Sequence, residues 1–279
     1  MSRRPCGWRQ DAYDPRDWHA NDPVGANETR LVGAPRVSSP AGHSLLTGAP
    51  DLLHVRGPRI MQIGESCVGF TLKRALYMSH RLQGVESPVF ASGLGNYTIA
   101  RRQEHKLVRP LPALIDRGCR PRDCMKGVRS FGFIPESVWR DVPAHVNDGK
   151  FTPKVTTSAY SQAGDLLQFM YVTDIGSNRV AAVRQGLIKG WIPMFAIVVD
   201  QAYMDHVGSD AIDRIDPTQV LGGHYQAVLK VETDDTLLTD NWWDDTWGFN
   251  DGMGRIHPNL FGSPYISDVI LLKSVPAWG

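Results

Sequence analysis

The hydrophobic pattern changes its period along this chain, from a helical period in the first half to short apolar runs in the last part. Apolar residues three or four apart predict helices, and short apolar runs between turn residues predict strands. The predicted helices cover residues 66–83, 88–102, 121–131 and 179–189, and the predicted strands cover 193–199, 225–231, 236–242 and 265–272. Helices followed by strands are typical of an α+β protein. We expect a helical half over residues 51–165 and a β-rich half over residues 166–279.

Residues 1–50 differ from the rest of the chain, because they are rich in Gly, Pro, Ser and Asp and lack an apolar period. This composition predicts an extended N-terminal arm and not a core element. Such an arm can dock to an assembly partner, or it can occupy a cleft of its own chain as a short pro-segment. The sequence leaves both alternatives open.

Charge and hydropathy give no sign of a nucleic-acid or membrane partner. The 279-residue chain has a formal net charge of +1 and carries no basic stripe. No segment approaches the roughly 18 apolar residues of a membrane-spanning helix. No apolar segment follows the basic N-terminus, as a secretory signal would require. We therefore expect a cytoplasmic or virion-associated protein with no nucleic-acid or membrane partner.

The four cysteines are too few for a disulfide-stapled scaffold in a chain of this length. Cys119 and Cys124 read as two thiols near a helix start, with a local disulfide or a metal pair as the alternative. Cys67 lies in the first turn of the helix predicted over 66–83, where Ser66 is expected to be the cap. Unsatisfied N–H groups and the positive end of the helix dipole favour a thiolate there. On position alone, a buried structural cysteine remains the commoner case.

His224 and Asn241 are brought together by the predicted hairpin of strands 225–231 and 236–242. A turn centred between residues 233 and 234 pairs His224 with a residue near 243, two positions from Asn241. An amide beside a histidine can fix its tautomer and leave the other ring nitrogen for a thiol. Trp242, Trp243 and Trp247 follow closely and can form either core or a roof over a polar site.

Four motifs in order resemble those of a known family. They are QIGESCVGF at 62–70, a segment beginning with DRG at 116–118 and ending with PES at 135–137, GGH at 222–224, and NWW followed by WG at 241–248. Together they resemble the papain-like cysteine peptidases, most closely the bacterial and phage members. The resemblance covers roughly residues 50–273.

The resemblance implies the papain fold, with a helical left domain, a β-barrel-like right domain and a cleft between them. It also implies roles for individual residues: Cys67 as nucleophile, His224 as general base, Asn241 as the residue that orients the base, Gln62 as oxyanion donor, and Trp243 and Trp247 as shields of the site. Two departures bear on these roles. Gln62 lies five residues before the cysteine where the family pattern has six, and Trp242 stands where a serine is usual.

The resemblance implies a cysteine peptidase that forms an acyl-enzyme on a polypeptide substrate and needs no metal or organic cofactor. One alternative is a structural or binding component of a phage particle or secretion assembly, built on the same scaffold and docked through the N-terminal arm. A second alternative is a cell-wall amidase.

Overall fold

The computed structural model describes residues 4–12, 51–105, 114–143, 146–147, 150–151 and 166–275. The greater part of the expected N-terminal arm, residues 13–50, lies outside the described residues. The described residues form the expected α+β architecture, with helices packed beside a seven-stranded open sheet.

The helices agree closely with the hydrophobic pattern. Four predicted helices are confirmed as α1 (Cys67–Leu82), α2 (Gly93–Glu104), α3 (Pro121–Phe131) and α4 (Ser177–Ile188). The periodicity does not predict two single-turn helices, α5 (Gln201–Met204) and α6 (Pro258–Phe261). Helix α2 begins later than expected because the Ser92 hydroxyl accepts the N–H of Gly95 at 2.9 Å and caps the helix there.

Helix α1 is the central helix, and its residues from Cys67 to Leu76 are all buried. It packs against α2 on one side and against the sheet on the other. The expected cap is wrong, because the Ser66 hydroxyl donates to the carbonyl of Ile63 at 2.7 Å and makes no cap hydrogen bond. The first N–H groups of α1 are therefore not taken by the Ser66 side chain.

The described strands form two sheets. The short strands β1 (Leu114–Ile115), β2 (Val146–Asn147) and β3 (Lys150–Phe151) form a small sheet in the order β1-β3-β2. The large sheet contains β4 (Leu166–Val172), β5 (Ile192–Val199), β6 (Ala211–Ile212), β7 (Gly222–Val231), β8 (Leu237–Asp240), β9 (Met253–Ile256) and β10 (Ile266–Val275). Its order is β4-β10-β5-β7-β8-β9-β6, and its pairs are antiparallel except for β6 with β9. Strands β5 and β7 lie in the middle, and β5 pairs with β7 from Gly222 onward, whereas β8 pairs with it only from Ala227 onward.

The hairpin of β7 and β8 confirms the register expected from the sequence. Val231 pairs with Leu237, and Ala227 pairs with Asp240. The register shifts by one residue between Val228 and Lys230, which marks a bulge. The hairpin therefore carries the first residue after β8, Asn241, toward the beginning of β7.

Among the described residues, no helix is both long enough and apolar enough to cross a membrane. The same residues contain no cluster of three or more His, Cys, Asp or Glu side chains able to hold a metal ion. Cys119 and Cys124 are buried thiols, as the first reading of their spacing predicts.

Candidate active site

Cys67 is the first residue of α1, and its side chain is fully buried. Backbone groups of Tyr225, Gly7 and Val68 lie near its sulfur and lower the pKa of the thiol, against the larger effect of burial. Tyr225 directly follows His224 in strand β7, so the helix places the thiol against the start of that strand. Gly7 belongs to the N-terminal arm, which therefore also reaches the thiol.

His224 is held by Asn241, as the hairpin predicts. The Nε2 atom of His224 lies 2.8 Å from the Oδ1 atom of Asn241, and both residues are buried. The same Oδ1 accepts the backbone N–H of Trp242 at 2.6 Å, which identifies it as the amide oxygen. Because this oxygen only accepts, His224 must carry its hydrogen on Nε2. Its Nδ1 has no hydrogen-bond partner among the described residues and keeps a lone pair available for a proton.

Two of the tryptophans enclose the histidine. The ring of Trp243 stacks on the His224 ring with centroids 4.3 Å apart and planes 27° apart. Trp247 meets Trp243 edge-on at 5.8 Å, and its indole N–H donates to the carbonyl of Tyr203 at 2.8 Å. The exposed fraction is 2% for Trp243 and 0% for Trp247. Trp243 therefore covers one face of the His224 ring, and Trp247 packs against Trp243.

Trp242 and Thr71 connect helix α1 to strand β7, a role that the sequence does not reveal. The Thr71 hydroxyl, one turn after Cys67, lies 2.8 Å from the carbonyl of Cys67 and 2.8 Å from that of Tyr225. The Trp242 indole N–H lies 2.7 Å from this hydroxyl and 3.0 Å from the carbonyl of Tyr225. A serine in place of Trp242 is too short to make the same connection. The departure from the family pattern thus has a structural function.

A buried ion pair fixes the end of strand β8, immediately before Asn241. The Asp240 carboxylate lies 2.9 Å from Nε of Arg74 in α1 and 2.7 Å from Nη2 of Arg56. The Asp240 and Arg74 side chains are each only 1% exposed. Removing one partner of such a buried pair typically costs about 3–5 kcal/mol, because the other charge stays buried. The pair therefore sets the position of Asn241 relative to α1.

Gln62 lies beside the site, with its side chain occupied by the N-terminal arm. Its Nε2 donates to the carbonyl of Pro5 at 3.1 Å and to the carbonyl of Gly64 at 3.0 Å. The indole N–H of Trp243 donates to the same Pro5 carbonyl at 2.8 Å. A peptide carbonyl of the arm thus occupies the donor to which the family resemblance gives the oxyanion role.

Residues 4–12, here called the strap, run between the helical side of the molecule and strand β7. On the helical side, the N–H of Cys119 donates to the carbonyl of Gly7 at 2.9 Å, and the N–H of Arg9 donates to the carbonyl of Cys119 at 3.1 Å. On the sheet side, the N–H of Trp8 donates to the carbonyl of Gly223 at 3.3 Å. The strap therefore covers the candidate site from one side to the other.

Glycines make room for the strap. A Cβ atom on Gly7 would lie 1.8 Å from the backbone oxygen of Glu65, and one on Gly118 would lie 2.1 Å from the carbonyl oxygen of Gly7. A Cβ on Gly223 would lie 2.0 Å from the Trp8 ring. No real Cβ tolerates such distances, so even an alanine at these positions is incompatible with the docked strap. The glycine before His224 is the sequence signal that another chain segment passes there.

The covered site is electrically neutral. Burial raises the pKa of the Cys67 thiol far above its usual range, although backbone hydrogen bonds from Tyr225 and Gly7 lower it. Burial lowers the pKa of His224 to about 3, although its hydrogen bond to Asn241 opposes this shift. A thiol and a neutral imidazole therefore coexist beneath the strap, in contrast to the thiolate that the helix N-terminus alone would favour.

Two carboxyl groups hold the far end of the strap. Oδ2 of Asp268 accepts the indole N–H of Trp8 at 2.7 Å and the N–H of Asp11 at 3.1 Å. The Asp11 carboxyl accepts the Tyr171 hydroxyl at 2.8 Å and the N–H of Arg122 at 3.0 Å. Burial and the nearby Asp268 charge raise the pKa of Asp11 to about 7, and burial also raises the pKa of Asp268. Docking of the strap thus favours a protonated Asp11.

The strap is expected to dock more weakly as the pH rises. Asp11 titrates near its ordinary value of 3.8 in a free strap and near 7 in the docked strap. Docking is therefore strongest below about pH 4, and this stabilisation is lost as the pH rises through about 7. Hydrogen exchange at the Trp8 and Arg9 amides, compared with an Asp11→Asn variant at each pH, measures the effect. The variant should keep the strap protected at neutral pH, and an identical pH dependence in both proteins would contradict the expectation.

The sequence comparisons find no match, whereas the structure comparison finds proteins with a similar fold. No protein-family model matches the sequence, and no curated protein matches it significantly. The fold, however, is similar to that of xylellain, a cysteine protease from Xylella fastidiosa, with a TM-score of 0.68 and 18% identity over 99% of both chains.

Two eukaryotic proteins have the same fold. Digestive procathepsin L 3 from the larval midgut of Tenebrio molitor has a TM-score of 0.55 and 12% identity over 85% of this chain and 73% of its own. ProCathepsin B S9 from Trypanosoma congolense has a TM-score of 0.58 and 12% identity over 83% of this chain and 80% of its own. The chain therefore has the fold of the papain-like cysteine peptidases.

Proposed function

We propose that this protein is a cysteine peptidase that uses Cys67, His224 and Asn241 and is latent while the strap is docked. The observation that carries the proposal is the hydrogen bonding of the two ring nitrogens of His224. Asn241 fixes its hydrogen on Nε2, and within the described part of the chain its buried Nδ1 has no hydrogen-bond partner. The next strand residue, Tyr225, is one of the backbone groups that lower the pKa of Cys67. A histidine fixed in this way is suited to take a proton from a thiol.

The proposed reaction begins when the strap leaves and water enters the site. The Cys67 proton then passes to Nδ1 of His224, and the thiolate attacks the carbonyl carbon of a peptide bond. The backbone N–H of Cys67 and the Nε2 group of Gln62 stabilise the resulting oxyanion. His224 returns its proton to the departing amine, which leaves an acyl-enzyme on the Cys67 sulfur. A water molecule, deprotonated by His224, hydrolyses the thioester and restores the thiol.

The contacts that the strap makes within the site support latency. The Pro5 carbonyl takes the Gln62 donor, and the strap backbone spans from Cys119 to Gly223. A substrate peptide cannot reach Cys67 while these contacts persist. Two of the structural neighbours are procathepsins, and we propose a similar precursor condition for this chain.

A substrate test separates peptidase activity from the two alternatives. The Gly7→Ala variant cannot accommodate the docked strap, because its Cβ would clash with the backbone of Glu65. The purified variant is incubated with casein and, separately, with peptidoglycan. We expect casein fragments that do not form after treatment with iodoacetamide. Cleavage of peptidoglycan alone would support a cell-wall amidase, and cleavage of neither would support a structural component.

A further inference from the structure

The strap carries a thiol of its own next to the proposed nucleophile. Cys6 lies between Pro5, whose carbonyl accepts from Gln62 at 3.1 Å, and Gly7, which packs against the backbone of Glu65, two residues before Cys67. Cys6 is partly exposed, whereas Cys67 is fully buried. A negative charge on Cys6 also raises the pKa of Cys67, so the two thiols influence each other electrostatically. The strap therefore brings a second cysteine to the site.

The Cys6 side chain faces the strand that bears His224. Its Cβ atom lies 3.0 Å from the position of a Cβ on Gly222, and its sulfur lies 3.5 Å from that position. Its thiol donates to the carbonyl of Arg4 at 3.8 Å. The glycine at 222 thus leaves space for the Cys6 side chain on the side of β7 where the site is located. Rotation about the Cα–Cβ bond of Cys6 can redirect the sulfur within this space.

We propose that Cys6 and Cys67 form a reversible disulfide. This bond holds the strap over the site, so that the strap can leave only after the disulfide is reduced. This inference rests on the proposed function of Cys67 as nucleophile. A disulfide requires Cα atoms about 4.4–6.8 Å apart. The strap on either side of Cys6 lies against the segment that leads into Cys67, because the Pro5 carbonyl accepts from Gln62 and Gly7 packs against the backbone of Glu65, so both cysteines lie in the same part of the site.

The oxidation balances with a small disulfide such as oxidised glutathione. The partly exposed Cys6 reacts first: its thiolate attacks one sulfur of the oxidant, forms a mixed disulfide and releases one glutathione. Cys67 then loses its proton and attacks the Cys6 sulfur, which releases the second glutathione. Two protein thiols are oxidised to one disulfide, and the two electrons and two protons end on the two glutathione molecules.

The disulfide changes what is needed to open the site. Without it, the strap is held by hydrogen bonds such as those of Pro5 and Gly7, and it can leave and return. With it, the strap stays over the site even when those bonds break. An oxidised protein would therefore remain inactive at any pH until a thiol reductant attacks the disulfide.

The test uses the full chain, oxidised glutathione and peptide mass mapping without reduction. We expect wild-type protein to give a linked pair of peptides that contain Cys6 and Cys67 and that separate after dithiothreitol. The Cys6→Ser variant should give no linked pair, and its Cys67 should react with iodoacetamide after the oxidant treatment. The Cys124→Ser variant, which alters a buried thiol of α3 that donates to the carbonyl of Asn96 at 3.6 Å, should form the linked pair as wild type does.

The readout separates this inference from the peptidase assignment, because the linked peptides are detected by mass. A glutathione adduct on Cys6 with Cys67 still a thiol would overturn the disulfide, as would a link between Cys6 and any other cysteine. Formation of the Cys6–Cys67 link in a protein that stays inactive after reduction and strap release would support the disulfide and overturn the peptidase function.

Discussion

Replacing Cys67 or His224 is expected to abolish peptide hydrolysis in the protein with a released strap. Cys67→Ser keeps the size of the side chain but supplies a much weaker nucleophile, and His224→Ala removes the proton acceptor. Each change should lower kcat by on the order of 10⁴-fold or more, because the two residues act as one unit. Combining them should lower kcat little further. Casein or peptide hydrolysis by the Gly7→Ala protein, with and without each change, measures the effect.

The matched control is His54→Ala, which alters an exposed histidine far from β7 in sequence. It should leave kcat unchanged. Asn241→Ala should lower kcat less than His224→Ala, since Asn241 orients the ring and takes no proton. Undiminished hydrolysis by a folded Cys67→Ser protein would remove Cys67 from the mechanism.

Releasing the strap is expected to raise activity on the order of 10²-fold. Gly7→Ala places a methyl group against the backbone of Glu65, so the three backbone hydrogen bonds around Gly7, Trp8 and Arg9 cannot form together. Each such bond contributes about 0.5–1.5 kcal/mol net, and about 1.4 kcal/mol corresponds to a factor of ten. Deletion of residues 1–12 should give an increase of similar size. Initial rates of peptide hydrolysis for wild type and both variants provide the comparison.

Gln10→Ala is the control for this prediction, because Gln10 is exposed within the strap. It should leave the rate at the wild-type level. An equal rate for wild type, Gly7→Ala and the truncated protein would show that the strap does not limit access to Cys67. The strap would then be a docked segment without an inhibitory role.

Local sequence patterns predicted the elements that carry the candidate site. Helix α3 has the predicted bounds, because a proline at its first position and a regular apolar period fix both ends. The meeting of His224 with Asn241 was predictable because a short hairpin determines its own register. These features depend on residues close together in the sequence, where periodicity and turn chemistry carry information.

The strap and its consequences depend on contacts that local patterns do not record. Trp8 pairs with Cys119 through an isolated bridge more than a hundred residues away in sequence. The neutral state of the site was equally hidden, because it results from burial by that distant segment and reverses the preference of the helix N-terminus. The connection from Thr71 to Trp242 also lies outside the family pattern, which has a serine where this chain has a tryptophan.

The strap and the site belong to one polypeptide, and this has a consequence for how inhibition responds to concentration. A tethered segment meets its site at an effective concentration set by the connecting chain, which is in the millimolar range for short flexible connections. Dilution of the protein therefore does not release the strap, whereas a detached peptide of the same sequence would dissociate. Cleavage of the chain anywhere between residues 13 and 50 would turn a unimolecular equilibrium into a bimolecular one. At a protein concentration below the dissociation constant of the severed strap, such a cut would let the strap leave the site.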